Sequence, residues 1–126
     1  FQCAIPLAQS RDGMRALIEA ISAAGAGSFL SVLKRFGPQQ SPFSFPMEGY
    51  TLSLDFPVNA QTLALMEQLD KITLLHGGRF YLAKDSRMSR ETFTQSEPRL
   101  EQFITQRQKL RATQAFQSAQ SERLGL

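Results

Sequence analysis

The clearest periodicity lies at Tyr50–Phe56, where Tyr50, Leu52, Leu54 and Phe56 alternate with Thr51, Ser53 and Asp55. Side chains alternate across a strand, so this pattern predicts one apolar and one polar face. Phe1–Ile5 is a short apolar run stopped by Pro6 and reads as a strand. Met14, Leu17, Ile18 and Ile21 recur at the spacing of one helical face, which predicts a helix capped by Ser10 and ending near Ala24. Gly25 and Gly27 stop it. Ser28–Phe36, rich in Phe, Leu and Val, reads as a second strand, and the proline-bearing segment Gly37–Pro46 as a loop. After Pro57, Asn59 is placed to cap a helix running to Leu75, with Leu65, Leu69, Ile72 and Met66 as its buried stripe. His76-Gly77-Gly78 closes that helix and leads into a strand at Arg79–Ala83. A short helix around Ser89–Phe93 and a longer one from Pro98 follow, the latter with Leu100, Phe103, Ile104 and Leu110 as its stripe. Gln117–Leu126 is polar and low in apolar content until Leu124 and Leu126.

The order β-α-β-β-α-β predicts an α+β, ferredoxin-like fold: a four-stranded antiparallel sheet with both helices on one face, plus a C-terminal helical extension. Its boundaries fall at residues 1–88 for the sheet domain and 89–126 for the extension. The other sheet face is left open, and an uncovered face needs a ligand, a partner or another domain. Thr51, Ser53, Asp55, Arg79, Tyr81 and Ala83 belong there. From the second strand, either Leu30, Val32, Lys34 and Phe36 or Phe29, Ser31, Leu33 and Arg35 join them. Such a mixture of hydroxyls, cations and aromatics suits a polyhydroxylated ligand, and it equally suits an ordinary solvated β face.

Composition narrows the chemistry. With 42% hydrophobic and 20% charged residues, the 126-residue chain is globular and not disordered. No apolar run reaches the roughly 18 residues of a membrane span. A single cysteine, Cys3, excludes a disulfide framework, and a single histidine, His76, makes a histidine metal site or a Ser-His-Asp triad hard to build. Cys3 reads as a packing residue, and His76 as a helix-terminal one. Residues 79–126 carry nine basic side chains against five acids, whereas residues 1–78 carry five against six. The basic half reads as a solvated helical face. RNA-binding sheets of this topology use a basic-Gly-aromatic run that is absent here, so nucleic acid is not expected.

Three stretches carry a resemblance: Phe29-Leu-Ser-Val-Leu-Lys-Arg-Phe-Gly37, Ser44-Phe-Pro-Met-Glu-Gly-Tyr-Thr-Leu-Ser-Leu-Asp-Phe-Pro57 and Gly77-Gly-Arg-Phe-Tyr-Leu-Ala-Lys-Asp-Ser-Arg87. In order and spacing the chain resembles, from Gln2 to Leu126, the C-terminal substrate (cap) domain of flavin-dependent oxidoreductases of the vanillyl-alcohol-oxidase type. Decaprenylphosphoryl-ribose oxidases are the nearest group, with sugar-lactone oxidases further off. The resemblance implies FAD as cofactor, held mainly by an N-terminal domain outside this sequence, and oxidation of a sugar, polyol or sugar-lactone alcohol. It implies that Lys84 reaches the flavin near N1 and the C2 carbonyl, with Tyr81 beside flavin and substrate. It further implies that Gln2, Lys34, Phe36, Thr51 and Ser53 line the substrate pocket. One branch of these enzymes has cysteine at the position of Ser53 and asparagine at that of Thr51. Ser53 has no base in prospect, so its expected role is hydrogen bonding.

The remaining expectations follow from that reading. The partners are the substrate and the chain's own flavin-binding domain; the isolated fragment is inactive and self-associates through its open face. Asp85, Arg87 and Arg90 pair locally or meet the missing domain, and the Pro98–Arg111 helix packs back on it. A cytoplasmic location is expected, with room for peripheral membrane attachment. The alternative from another class is a stand-alone ferredoxin-like module binding a ligand or partner on its open face.

Overall fold

Register, more than any single contact, determines what this fold presents on its two faces. The computed structural model describes residues 1–126. Four strands, β1 (Gln2–Pro6), β2 (Ser31–Phe36), β3 (Gly49–Leu54) and β4 (Arg79–Phe80), form an antiparallel sheet in the order β2-β3-β1-β4. Helices α1 (Ser10–Ala23) and α2 (Ala60–Leu75) connect them, and the arrangement is the expected ferredoxin-like one. Directly opposed residues share a face, and Cys3 opposes both Leu52 and Phe80. These residues, with Ile5 and Leu54, meet Met14, Leu17, Leu65 and Leu69 of the helices in one apolar core. The other face carries Gln2 opposite Ser53, and Ala4 between Thr51 and Arg79. Because Val32 opposes Ser53 and Lys34 opposes Thr51, Val32, Lys34 and Phe36 lie on this helix-free face. Of the two alternatives for the second strand, that is the one adopted.

Several local expectations are corrected. Ser10 is the first residue of α1 and not its cap: its hydroxyl turns back to donate to the Ile5 and Pro6 carbonyls, tying helix to strand. Ile18 is 57% exposed, and Gly13 and Ala20 take buried places on α1 instead. The helix expected from Pro98 begins at Leu100 (α4, Leu100–Lys109), after α3 (Arg90–Ser96). The strand expected over Arg79–Ala83 pairs only at Arg79 and Phe80, then turns into a single 3-10 turn, Leu82–Lys84. The polar C-terminal stretch folds as well. A short turn of helix α5 (Ala112–Ala115) precedes α6 (Ala119–Leu124), whose Leu124 joins Met88, Phe93 and Leu100 in the core cluster.

The cap at Asn59 forms as expected: Thr62 N–H donates to Asn59 Oδ1 and Asn59 N–H to Thr62 Oγ1. Cys3 is fully buried, and its surroundings push the thiol up to about 12, a packing residue and not a nucleophile.

Gly49 is where backbone geometry is least forgiving. Its φ is 155°, and a Cβ placed there would sit 2.0 Å from the Ile5 carbonyl oxygen. Gly27, by contrast, faces open space. Gly49→Ala should therefore lower unfolding free energy by on the order of 3 kcal/mol, while Gly27→Ala stays within about 0.5 kcal/mol. Urea titration of the two variants checks this, and equal midpoints would contradict the tight β1–β3 approach.

Candidate functional site

Five of the seven residues singled out above lie on the helix-free face by strand register: Gln2, Lys34, Phe36, Thr51 and Ser53. Tyr81 follows β4 at the opposite edge from β2, with its N–H bonded to the Gln2 carbonyl. Lys84 ends the 3-10 turn just beyond. Gln2, Tyr81 and Lys84 come together on a solvent-open cavity of about 390 Å³, with Phe56, Met66 and Met88 among its apolar lining. Lys34 and Phe36, on the outer strand, do not line it, and neither do Thr51 and Ser53. Thr51 touches this group through Gln2, whose Nε2 donates to Thr51 Oγ1 at 3.2 Å. That leaves Gln2 Oε1 as the acceptor available to an incoming hydroxyl.

Lys84 is exposed and has no ion-pair or side-chain hydrogen-bond partner in the chain, yet the backbone bearing it is closely held. On one side Asp85 Oδ1 accepts from the N–H groups of Arg87 and Met88, and Asp85 Oδ2 pairs with Arg123 Nη2 of α6 at 2.7 Å. Burial pushes the Asp85 carboxyl up, but the Met88 N–H, the Arg123 guanidinium and the Arg87 N–H outweigh it and hold it below its ordinary range. On the other side Arg87 forms a two-pronged pair with Asp70 of α2, at 2.7 and 2.8 Å, and also donates to the Met66 carbonyl. Here burial wins, and the Asp70 carboxyl lies above its ordinary range despite Arg87. Gln120 of α6 donates to the carbonyls of Leu82 and Asp85. Arg123 also donates to the Met88 carbonyl. Asp85 and Arg87 thus find their ion-pair partners on α6 and α2 and not locally, and Arg90 has no acid partner and lies over Gly125.

The supporting residues Asp70, Gln120 and Arg123 were not anticipated. A signal for the last two was present: Ser118 and Ser121 form a reciprocal cap, and Gly125 adopts the left-handed conformation that ends a helix. The helix-free face is also less open than expected. Thr51 is only 1% exposed, and the segment between β2 and β3 sets Phe45 against both Phe36 and Tyr81.

No family model matches the chain. It is similar over its whole length to decaprenylphosphoryl-beta-D-ribose oxidase of Mycolicibacterium smegmatis, 37% identical over 127 residues that make up 27% of that protein. It is also similar to an uncharacterized protein in the mprA 5' region of Streptomyces coelicolor, 36% identical over 117 residues, 91% of this chain and 32% of that one. The resemblance drawn from sequence motifs therefore holds along the entire chain, and the chain spans about a quarter to a third of the length of these curated relatives.

The two carboxylates make opposite contributions to pH dependence. Asp85 lies below its ordinary 3.8, so its stabilisation is complete above that value and is lost as pH falls through its folded-state value. Asp70 lies above 3.8, so its contribution is largest in acid and fades as pH rises through its folded-state value. Asp85→Asn should be less stable than the parent near neutrality, and the gap should close as the pH is lowered toward about 2. Urea midpoints across that range check it; a constant gap would contradict the role given to Asp85.

Proposed function

We propose that this chain is the C-terminal, substrate-binding domain of an FAD-dependent oxidoreductase that oxidises a secondary alcohol of a sugar, polyol or sugar lactone. One observation carries this reading. Residues assigned to substrate by motif resemblance, scattered from Gln2 to Ser53, fall on one sheet face, and the two assigned to flavin stand at its edge.

The donor set suits such a cofactor. Lys84 is an exposed cation without a counterion, on a backbone fixed by Asp85, Arg87 and Gln120, and Tyr81 beside it is 38% exposed. Lys84 and Tyr81 are the residues of this chain that would meet the flavin. Gly77-Gly78 closes α2 and offers no phosphate cradle, so the pyrophosphate belongs to another domain of the parent. FAD, when bound, supplies the acceptor for the hydride leaving the alcohol carbon. The work of this chain is positioning and electrostatics. Gln2 Oε1 accepts from a substrate hydroxyl, Ser53 adds a donor, and Lys34 places a second cation at the outer strand. A fixed ammonium at Lys84 favours any state in which negative charge gathers next to it, and its preorganised backbone avoids rearrangement at that moment.

No helix is long and apolar enough to cross a membrane. A cytoplasmic location for the parent enzyme is part of this proposal.

In the full-length flavoprotein, Lys84→Ala should slow anaerobic flavin reduction by substrate by about a hundredfold or more. Substrate affinity should change by less than about threefold. Rapid-mixing absorbance measures both, and unchanged reduction would overturn the electrostatic role.

A further inference from the structure

Ala4 and Thr51 occupy the centre of a sheet face that carries no helix, yet they are 0% and 1% exposed. The segment from Gly37 to Glu48, which has no regular hydrogen-bond ladder of its own, is held against that face at Phe36, Arg79 and Tyr81. Phe36 closes the outer strand β2, and Tyr81 follows β4 at the opposite edge. The Phe45 ring lies 5.9 Å from the Phe36 ring and 4.8 Å from that of Tyr81. A ring touching both must lie across the two middle strands.

The segment is tied down from outside. Arg79 Nη1 and Arg99 Nη2 both donate to the Ser44 carbonyl, at 3.1 and 2.7 Å, immediately before Phe45. Arg99 Nη1 also holds the Ser41 carbonyl, and Phe43 stacks on Phe103 of α4 with ring centres 4.0 Å apart. Closure has a cost. Arg99 is neutralised by Glu97, whereas Arg79 has no acid partner and its Nε is buried with no hydrogen bond. Arg79 thus holds the Ser44 carbonyl through Nη1 while its Nε stays without a partner.

Resting on the substrate-binding role proposed above, we infer that Phe45 is the specificity-determining residue of this face. It seals the row of Ala4 and Thr51 and confines substrate to the row of Gln2, Ser53 and Tyr81 beside Lys84. Thr51 is then a positioning residue, acting through the Gln2 amide. Ring size at position 45 sets how large a group the face admits, as wall residues set specificity in other pockets.

The test uses the full-length flavoprotein and two readouts. The first needs no turnover. In a Cys3→Ala background, Thr51→Cys is exposed to a methanethiosulfonate reagent and its labelling followed by peptide mapping, with and without Phe45→Ala. Removing the ring should raise the labelling rate at least about tenfold; equal rates would overturn the cover. The second compares kcat/KM for methyl and phenyl β-D-ribofuranosides. Phe45→Ala should raise the phenyl-to-methyl ratio by about tenfold, and Phe45→Trp should lower it, a sign reversal that general loosening of the fold would not give. An unchanged ratio overturns the specificity role. If neither riboside is oxidised by the parent, the specificity role toward ribosides falls while the labelling still decides whether Phe45 covers Thr51.

Discussion

The arrangement depends on how the backbone after β4 satisfies its polar groups. Strand pairing ends at Phe80, so Leu82–Met88 has no ladder to complete its hydrogen bonds. Side chains do so instead: Asp85 accepts from the Arg87 and Met88 N–H groups, and Gln120 and Arg123 of α6 donate to the Leu82, Asp85 and Met88 carbonyls, while Asp70 of α2 anchors the segment by its pair with the Arg87 side chain. Removing one partner of such a pair leaves a half-buried charge uncompensated, which is why pairs of this kind rigidify their surroundings even when their net stabilisation is small. The product of this clamping is an unpaired ammonium, Lys84, on a fixed turn at the rim of a cavity.

This placement explains why the C-terminal helices accompany the sheet. Leu124, Leu100 and Phe93 enter the same apolar cluster as Leu17 and Leu69, so the extension is held by burial as well as by charge. It delivers Gln120 and Arg123 to the turn beside Lys84, and α4 delivers Phe103 to the segment that covers the sheet. Packing, ion pairing and site geometry are thus coupled through elements distant in sequence.

Much of this was legible before any coordinates. Alternation at Tyr50–Leu54 set which β3 residues face the helices, because a one-residue slip would have turned Leu52 and Leu54 to the other side. The motif resemblance named residues that register then brought to one face. Three things were not legible, each for a physical reason. Arg79–Ala83 alternates like a strand, but alternation does not say how far a partner extends, and β1 pairs it only at two positions. The capping serines and Gly125 mark α6 as a helix, but nothing in them shows that Gln120 and Arg123 reach the turn after β4. The segment with prolines at 38, 42 and 46 was a loop by any reading, but where Phe43 and Phe45 would be buried depends on the arginines that hold its carbonyls.

On the function proposed above, this face and its edge lysine belong to a flavoenzyme acting on an alcohol. The most direct test is the visible spectrum of the full-length gene product, recorded anaerobically before and after addition of a sugar or polyol substrate. The expected result is the yellow absorbance of oxidised flavin and its bleaching on addition of substrate. A colourless full-length protein, or one whose absorbance survives every sugar, polyol and sugar lactone offered, would contradict it.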